Sequence, residues 1–197
     1  MTQLPKPPSQ LNRILSLLRI GPKGVILRFV DQGIRKITGT PYWHLSRVTP
    51  QLYVGGQHTK WGGMAQEGIT AVVNMREAKY DDVAIGVAGE AHLHLPTRDN
   101  TPPTLEDLQR GADFIAAQIQ QGSKVYVHCG VGVGRAPTMA AAYLIKHEQL
   151  SPKHALQKIR TVRPFIHLTS KQRHCLNEFA QQVQQVAAPT EPEKVLS

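Results

Sequence analysis

Val125-Tyr-Val-His-Cys-Gly-Val-Gly-Val-Gly-Arg-Ala-Pro-Thr138 is the stretch that decides how this chain is read. Its apolar opening, Val125 to His128, has the length and β-branched content of a buried strand. Three alternating glycines follow (Gly130, Gly132 and Gly134), and a helix is expected from about Arg135. Glycines let the backbone curl until successive N–H groups face one centre, forming an anion nest, and the positive end of the next helix adds to that field. Cys129, at the lip of such a nest, is expected to have its thiolate stabilised and so to act as a nucleophile at neutral pH. Arg135 closes the ring with a planar fork matched to two phosphate oxygens, which a lysine would lack.

Other glycine-loop chemistries fit less well. A dinucleotide fingerprint needs a third glycine where Pro137 stands, and a nucleotide P-loop needs the Gly-Lys-Ser/Thr that is missing here. A merely structural turn around an inert cysteine does not account for the five residues between Cys129 and Arg135, or for their place at a strand-to-helix joint. Phosphoryl transfer from an ester also needs an acid for the leaving oxygen. Asp99, in Thr97-Arg-Asp-Asn-Thr-Pro-Pro103, is the candidate. It qualifies if the strand before it neighbours the strand ending at His128, because the C-terminal ends of both then share one sheet edge. The alternative is a turn or capping aspartate.

Further strands are read at Arg47–Thr49, Leu52–Gly56, Thr70–Asn74 and His92–Pro96. Helices are read at Trp61–Glu67, Thr104–Gln120 with Thr104 as N-cap, Ala136–His147, Ser151–Arg160 with Ser151-Pro152 as cap and first turn, and Ser170–Val186. This alternation predicts an α/β fold, a central mainly parallel sheet of about four to five strands flanked by helices on both faces. Residues 1–41 read as a basic extension, 42–187 as the catalytic domain and 188–197 as a frayed tail.

Charge is concentrated at one end. Of the net +9, residues 1–66 carry +8, with Asp31 their only acidic group. Such asymmetry points to an anionic partner for the N-terminal segment. Within it, Leu11–Ile20 and Val25–Ile37 read as two amphipathic helices split by Gly21-Pro22, and Gly39–Pro41 ends the region. In the second, Ile26, Phe29, Val30, Ile34 and Ile37 recur at helical spacing, opposite Arg28, Gln32, Arg35 and Lys36. That face would lie on an anionic membrane (residues 11–37 as the contact) or pack on the domain behind it. No apolar run approaches the ~20 residues of a membrane span. Two cysteines make no disulfide framework, so a cytoplasmic, peripheral-membrane protein is expected, with an organelle transit segment as the alternative.

At His128-Cys129-x5-Arg135 with Asp99 upstream, the chain resembles the cysteine-dependent dual-specificity branch of the protein tyrosine phosphatases. Within that branch it is most similar to the mitochondrial phosphatidylglycerophosphate phosphatase group, through Pro103–Leu108, Val125–Cys129, Thr138–Ile145 and Arg163–His167. The resemblance implies that Cys129 forms a cysteinyl-phosphate intermediate. It further implies that Gly130, Val131, Gly132, Val133, Gly134 and Arg135 bind the phosphoryl oxygens, that Asp99 is the general acid, and that His128 orients the loop. No metal or other cofactor is implied, nor a nucleic-acid partner, and a monomer is expected. The family usually places Ser or Thr after the arginine, where this chain has Ala136, which predicts slower breakdown of the intermediate.

The expected substrate is a phosphoprotein (phosphotyrosine, with phosphoserine or phosphothreonine). A phospholipid such as phosphatidylglycerophosphate or a phosphoglycan is the alternative, and an inactive phosphate-reading adaptor or a sulfurtransferase is a different class of function. Blander roles are expected elsewhere. His92 and His94 share one strand face without a third ligand nearby, Cys175 packs on the last helix, and Arg76 and Arg98 are solvated charges near the site. The resemblance also implies Gln172 as a candidate for positioning water.

Overall fold

The structure is a computed structural model that describes residues 21–38, 45–57, 64, 66–77 and 91–187. The expected helix at Leu11–Ile20, most of that at Trp61–Glu67, the break at Gly39–Pro41 and the tail after Ala187 lie outside the described residues. The elements run α1 (Gly21–Thr38), β1 (Ser46–Arg47), β2 (Leu52–Gly55), β3 (Ile69–Asn74), β4 (Ala91–His94), α2 (Leu105–Gln120), β5 (Lys124–His128), α3 (Arg135–His147), α4 (Pro152–Val162) and α5 (Ser170–Ala187).

The strands form one mixed sheet in the order β1-β2-β5-β3-β4. The pairs β2–β5, β5–β3 and β3–β4 are parallel, and short β1 is antiparallel to β2. β5 is therefore flanked by a strand on each side, and its apolar run is continuous because both faces are covered. Val125 and Val127 join Leu52, Val54, Ala71 and Val73 in the large core under the helices. Tyr126 joins Tyr53, Val72, Met64 and Ile69 on the opposite face. Ile69 lies there despite its parity with Ala71 because the register shifts between them. β3 lies between β5 and β4, so the strand leading to Asp99 is one position further from the strand ending at His128 than the sequence reading required. All three run parallel, and their C-terminal ends still share one edge.

α3 is the central helix. It is buried from Arg135 to Ile145, and its run Ala140–Ala142 lets the surrounding helices approach closely. Local signals set the helix starts. Thr104 Oγ1 accepts the Asp107 N–H at 3.0 Å, and Ser151 Oγ accepts the His154 N–H at 3.3 Å ahead of Pro152.

α1 turns one narrow stripe inward. Gly24 and Asp31 are buried, while Leu27 and Ile34 are partly covered. Ile26, Phe29 and Val30, from the expected apolar face, are instead exposed, at 63%, 64% and 46%. Those three side chains therefore do not pack on the domain.

Candidate active site

β5 ends at His128, whose ring stacks on Tyr126 at 5.6 Å and whose carbonyl accepts the Met75 N–H at 2.8 Å. The chain then turns through Cys129 and the glycines into α3. Gly132 sits at φ +70°, and a Cβ there would fall 2.3 Å from the Gly55 carbonyl carbon and 2.8 Å from Arg163 Nη2. Any other residue would thus be both strained and obstructed. A Cβ on Gly134 would lie 2.9 Å from Gln172 Oε1, so a larger residue there would have to displace the end of the Gln172 side chain.

The four carbonyls from Gly130 to Val133 each have an outward donor. Gly130 O accepts the Gln57 N–H at 3.0 Å, and Val133 O accepts the His167 N–H at 2.9 Å. The Arg163 guanidinium takes the two between them, with Nη2 to Val131 O at 2.8 Å and Nε to Gly132 O at 2.5 Å. Because C=O and N–H of a trans peptide point in opposite directions, tying four carbonyls outward turns the next four amides, Val131 to Gly134, inward. One of them is seen at its target: the Gly132 N–H donates to Cys129 Sγ at 3.2 Å. No side chain caps the N-terminus of α3, which leaves its first amides available to an anion.

Arg135, the first residue of α3, is buried and reaches across the sheet edge. Nη1 donates to Thr97 O at 2.7 Å and to Met75 O at 3.3 Å, and Nη2 pairs with Asp99 Oδ1 at 3.0 Å. The Asp99 side chain is 65% exposed, leaving the carboxyl reachable from solvent. Its loop is shaped by Asn100 at φ +62° and by the Thr101 N–H and Oγ1, both donating to Arg98 O. Asn tolerates the left-handed region better than most residues. The structure thus brings Cys129, Arg135 and Asp99 to one edge, with Gly130, Val131, Gly132, Val133 and Gly134 between the first two and His128 at the root.

Two further side chains tie this edge together. Gln172, buried on α5 beneath Gly134, donates from Nε2 to Thr101 O at 2.9 Å and accepts the Thr169 N–H at 2.9 Å, so it connects the Asp99 loop to the glycine loop. Arg163 is fully buried, also donates to Ser46 Oγ at 3.2 Å, and lies over the Phe165 ring. Burial pushes its pKa down, while Tyr126, Asp31 and Cys129 oppose that shift. Sequence reasoning assigned Arg163 no role. The available signal was a lone arginine set between Val162 and Phe165, beside Pro164.

His94 Nε2 lies 2.8 Å from Arg76 O, and among the described residues no three His, Cys, Asp or Glu gather as a metal site. Cys175 Sγ hydrogen-bonds Pro103 O at 3.3 Å, and burial, with Glu178 adding, raises its pKa above the ordinary 9.0.

Residues 52–182 match the family model "Dual specificity phosphatase, catalytic domain". The chain belongs to that family. This dual-specificity phosphatase domain is 42% identical over 96 residues to phosphatidylglycerophosphatase and protein-tyrosine phosphatase 1 of Homo sapiens, covering 48% of each chain. It is 33% identical over 125 residues to dual specificity protein phosphatase 12 of Rattus norvegicus, covering 61% of this chain and 37% of that one. The chain thus spans about half, or less, of the length of these curated relatives. A crystal structure of PTPMT1 in complex with PI(5)P superposes with a TM-score of 0.66 at 28% identity, covering 72% of this chain and 97% of that one. The five-stranded mixed sheet flanked by helices is the architecture of the dual-specificity phosphatases.

Proposed function

We propose that this chain hydrolyses phosphate monoesters through a cysteinyl-phosphate intermediate, with a membrane phospholipid as substrate. The observation that carries the chemistry is the outward anchoring of four loop carbonyls around Cys129, which leaves a ring of amides for three phosphoryl oxygens. Cys129 Sγ attacks phosphorus in line, and the P–O bond to the leaving group breaks as the Asp99 carboxyl delivers its proton. Water then attacks the S–P bond, Asp99 takes the water's proton, and inorganic phosphate departs from the regenerated cysteine. An incoming dianion competes with Asp99 for Arg135 Nη2. That competition frees the carboxyl for the leaving oxygen.

The lipid reading is supported by the similarity to a phosphatidylglycerophosphatase and by the exposed Ile26, Phe29 and Val30 on a helix from the basic end of the chain. An exposed apolar ridge beside cationic residues suits an anionic bilayer. Similarity to dual specificity protein phosphatase 12 favours a phosphoprotein as the second reading.

Phosphate release from an aryl phosphate, phosphopeptides and phosphatidylglycerophosphate in vesicles, each with a Cys129→Ser control, tests both points. Turnover of all three is expected, with the lipid preferred and Cys129→Ser near background. Full activity in Cys129→Ser removes the mechanism, and preference for phosphopeptides over lipid removes the substrate assignment. Phe29→Glu is expected to weaken sedimentation with phosphatidylglycerol vesicles, and undiminished sedimentation counts against the ridge as a membrane contact.

A further inference from the structure

α1 precedes the 52–182 stretch that matches the family model, yet it places an acidic side chain in the interior. Asp31 is 0% exposed. A carboxylate taken out of water needs a cation and hydrogen bonds in compensation, since an isolated buried charge is among the costliest features a fold can carry. Among the described residues, the buried carboxyl and guanidinium side chains are those of Asp31, Arg135 and Arg163. Arg135 is held by Asp99. Arg163, also 0% exposed, donates to two loop carbonyls and the Ser46 hydroxyl, all of them neutral acceptors. The Asp31 charge acts on the Arg163 guanidinium and opposes the effect of its burial.

We propose that Asp31 is the counter-ion of Arg163 and, through it, a positioning residue for the phosphate loop. Arg163 holds Val131 O and Gly132 O outward, and those two peptides aim the Gly132 and Val133 amides inward. The Gly132 amide is the one that donates to Cys129 Sγ. A guanidinium with its charge balanced by Asp31 stays buried under the loop. Without that carboxylate it is drawn towards water, and the two carbonyls lose their common donor. The state of α1 therefore sets the geometry of the nest from a position outside the catalytic domain's family-matched stretch. The proposal rests on the reading of the loop as the phosphate site.

The test is inhibition by inorganic tungstate, together with aryl phosphate kinetics, on the full chain. Asp31→Asn is expected to weaken tungstate inhibition and lower kcat/KM by about tenfold or more, with kcat falling as well as KM rising. Asp31→Glu, which keeps the charge, is expected to recover most of that loss. In an Arg163→Met background, Asp31→Asn is expected to cost little more, because its route to the loop is already cut. Tungstate affinity unchanged by Asp31→Asn, or an undiminished second loss in the Arg163→Met background, overturns the proposal. If Asp31→Asn alone does not fold, the double variant Asp31→Asn/Arg163→Met, which removes both charges together, is compared with Arg163→Met, and a further loss of tungstate affinity there overturns it equally. Wild-type protein that does not bind tungstate at all overturns both this proposal and the phosphate-site reading, whereas binding without an Asp31 effect overturns this one alone.

Discussion

Ala136 follows Arg135 directly and is fully buried at the start of α3, where the related phosphatases usually carry a hydroxyl that helps the cysteine depart from phosphate. A methyl group cannot donate to the leaving sulfur, so breakdown of the cysteinyl-phosphate should be the slow step. Ala136→Ser is expected to raise the steady-state rate on an aryl phosphate and shrink the pre-steady-state burst of the phenol product. Identical bursts in the two proteins count against that role. The two cysteines should also differ in chemistry. Cys175 is bonded to Pro103 O, and its raised pKa keeps it a neutral thiol at pH 7, whereas the thiolate is the form that reacts. Iodoacetate at neutral pH should therefore modify Cys129 first, with protection by inorganic phosphate, and reach Cys175 once the domain is unfolded. Mass-mapped labelling of Cys175 in the native protein at the rate of Cys129 would contradict this.

Elements that depend on neighbours in sequence were legible and those that depend on distant partners were not. The run Val125–His128, the caps Thr104 and Ser151 and the turn into Arg135 follow from local propensity and spacing, and each stands close to its predicted boundary. The insertion of β3 between β5 and β4 was not legible, because strand order is set by long-range pairing that no local pattern encodes. Nor was the work of Arg163 or Gln172, whose partners lie 31 and 71 residues away. On α1, periodicity grouped Ile26, Phe29 and Val30 with Ile34, yet the first three are exposed while Ile34 is partly covered, and Asp31 rather than Phe29 takes the buried position. Gln172 gives this scale its own prediction. With the tie from α5 to Thr101 O removed, the Asp99 loop loses a fixed point while the glycine loop keeps its carbonyl donors. Gln172→Ala should slow esters with poor leaving groups by roughly tenfold, at the modest end of what general acid catalysis supplies, and slow an activated aryl phosphate less. Equal losses on both would place Gln172 in binding instead of acid catalysis.

At the scale of the whole molecule, Tyr53, Tyr143 and Cys175, all buried, shape how the fold responds to alkali. Burial is the leading cause of a raised pKa at Tyr53, Tyr143 and Cys175, with Glu67, Glu148 and Glu178 adding in turn and Arg47 opposing at Tyr53. Each group holds its proton more tightly folded than unfolded. Below its ordinary value, 9.0 for the thiol and 10.0 for the phenols, both states are protonated and its contribution to stability is complete. As pH rises past that value the unfolded chain releases the proton while the folded one retains it, and unfolding is favoured by mass action until the folded group titrates as well. Stability should thus begin to fall near pH 9 through Cys175 and fall faster above pH 10 through the tyrosines. A general charge effect runs the other way, because the chain carries +9 at neutral pH and approaches neutrality near its pI of about 9.8, where self-repulsion is least. Comparing variants with wild type separates the two, since that repulsion is nearly common to all of them. In urea titrations from pH 7.5 to about 10.5, the wild-type midpoint should decline more steeply than that of Tyr143→Phe or Cys175→Ala, whose missing protons take no part. Parallel pH profiles for the three proteins would show that these groups bind their protons equally in both states.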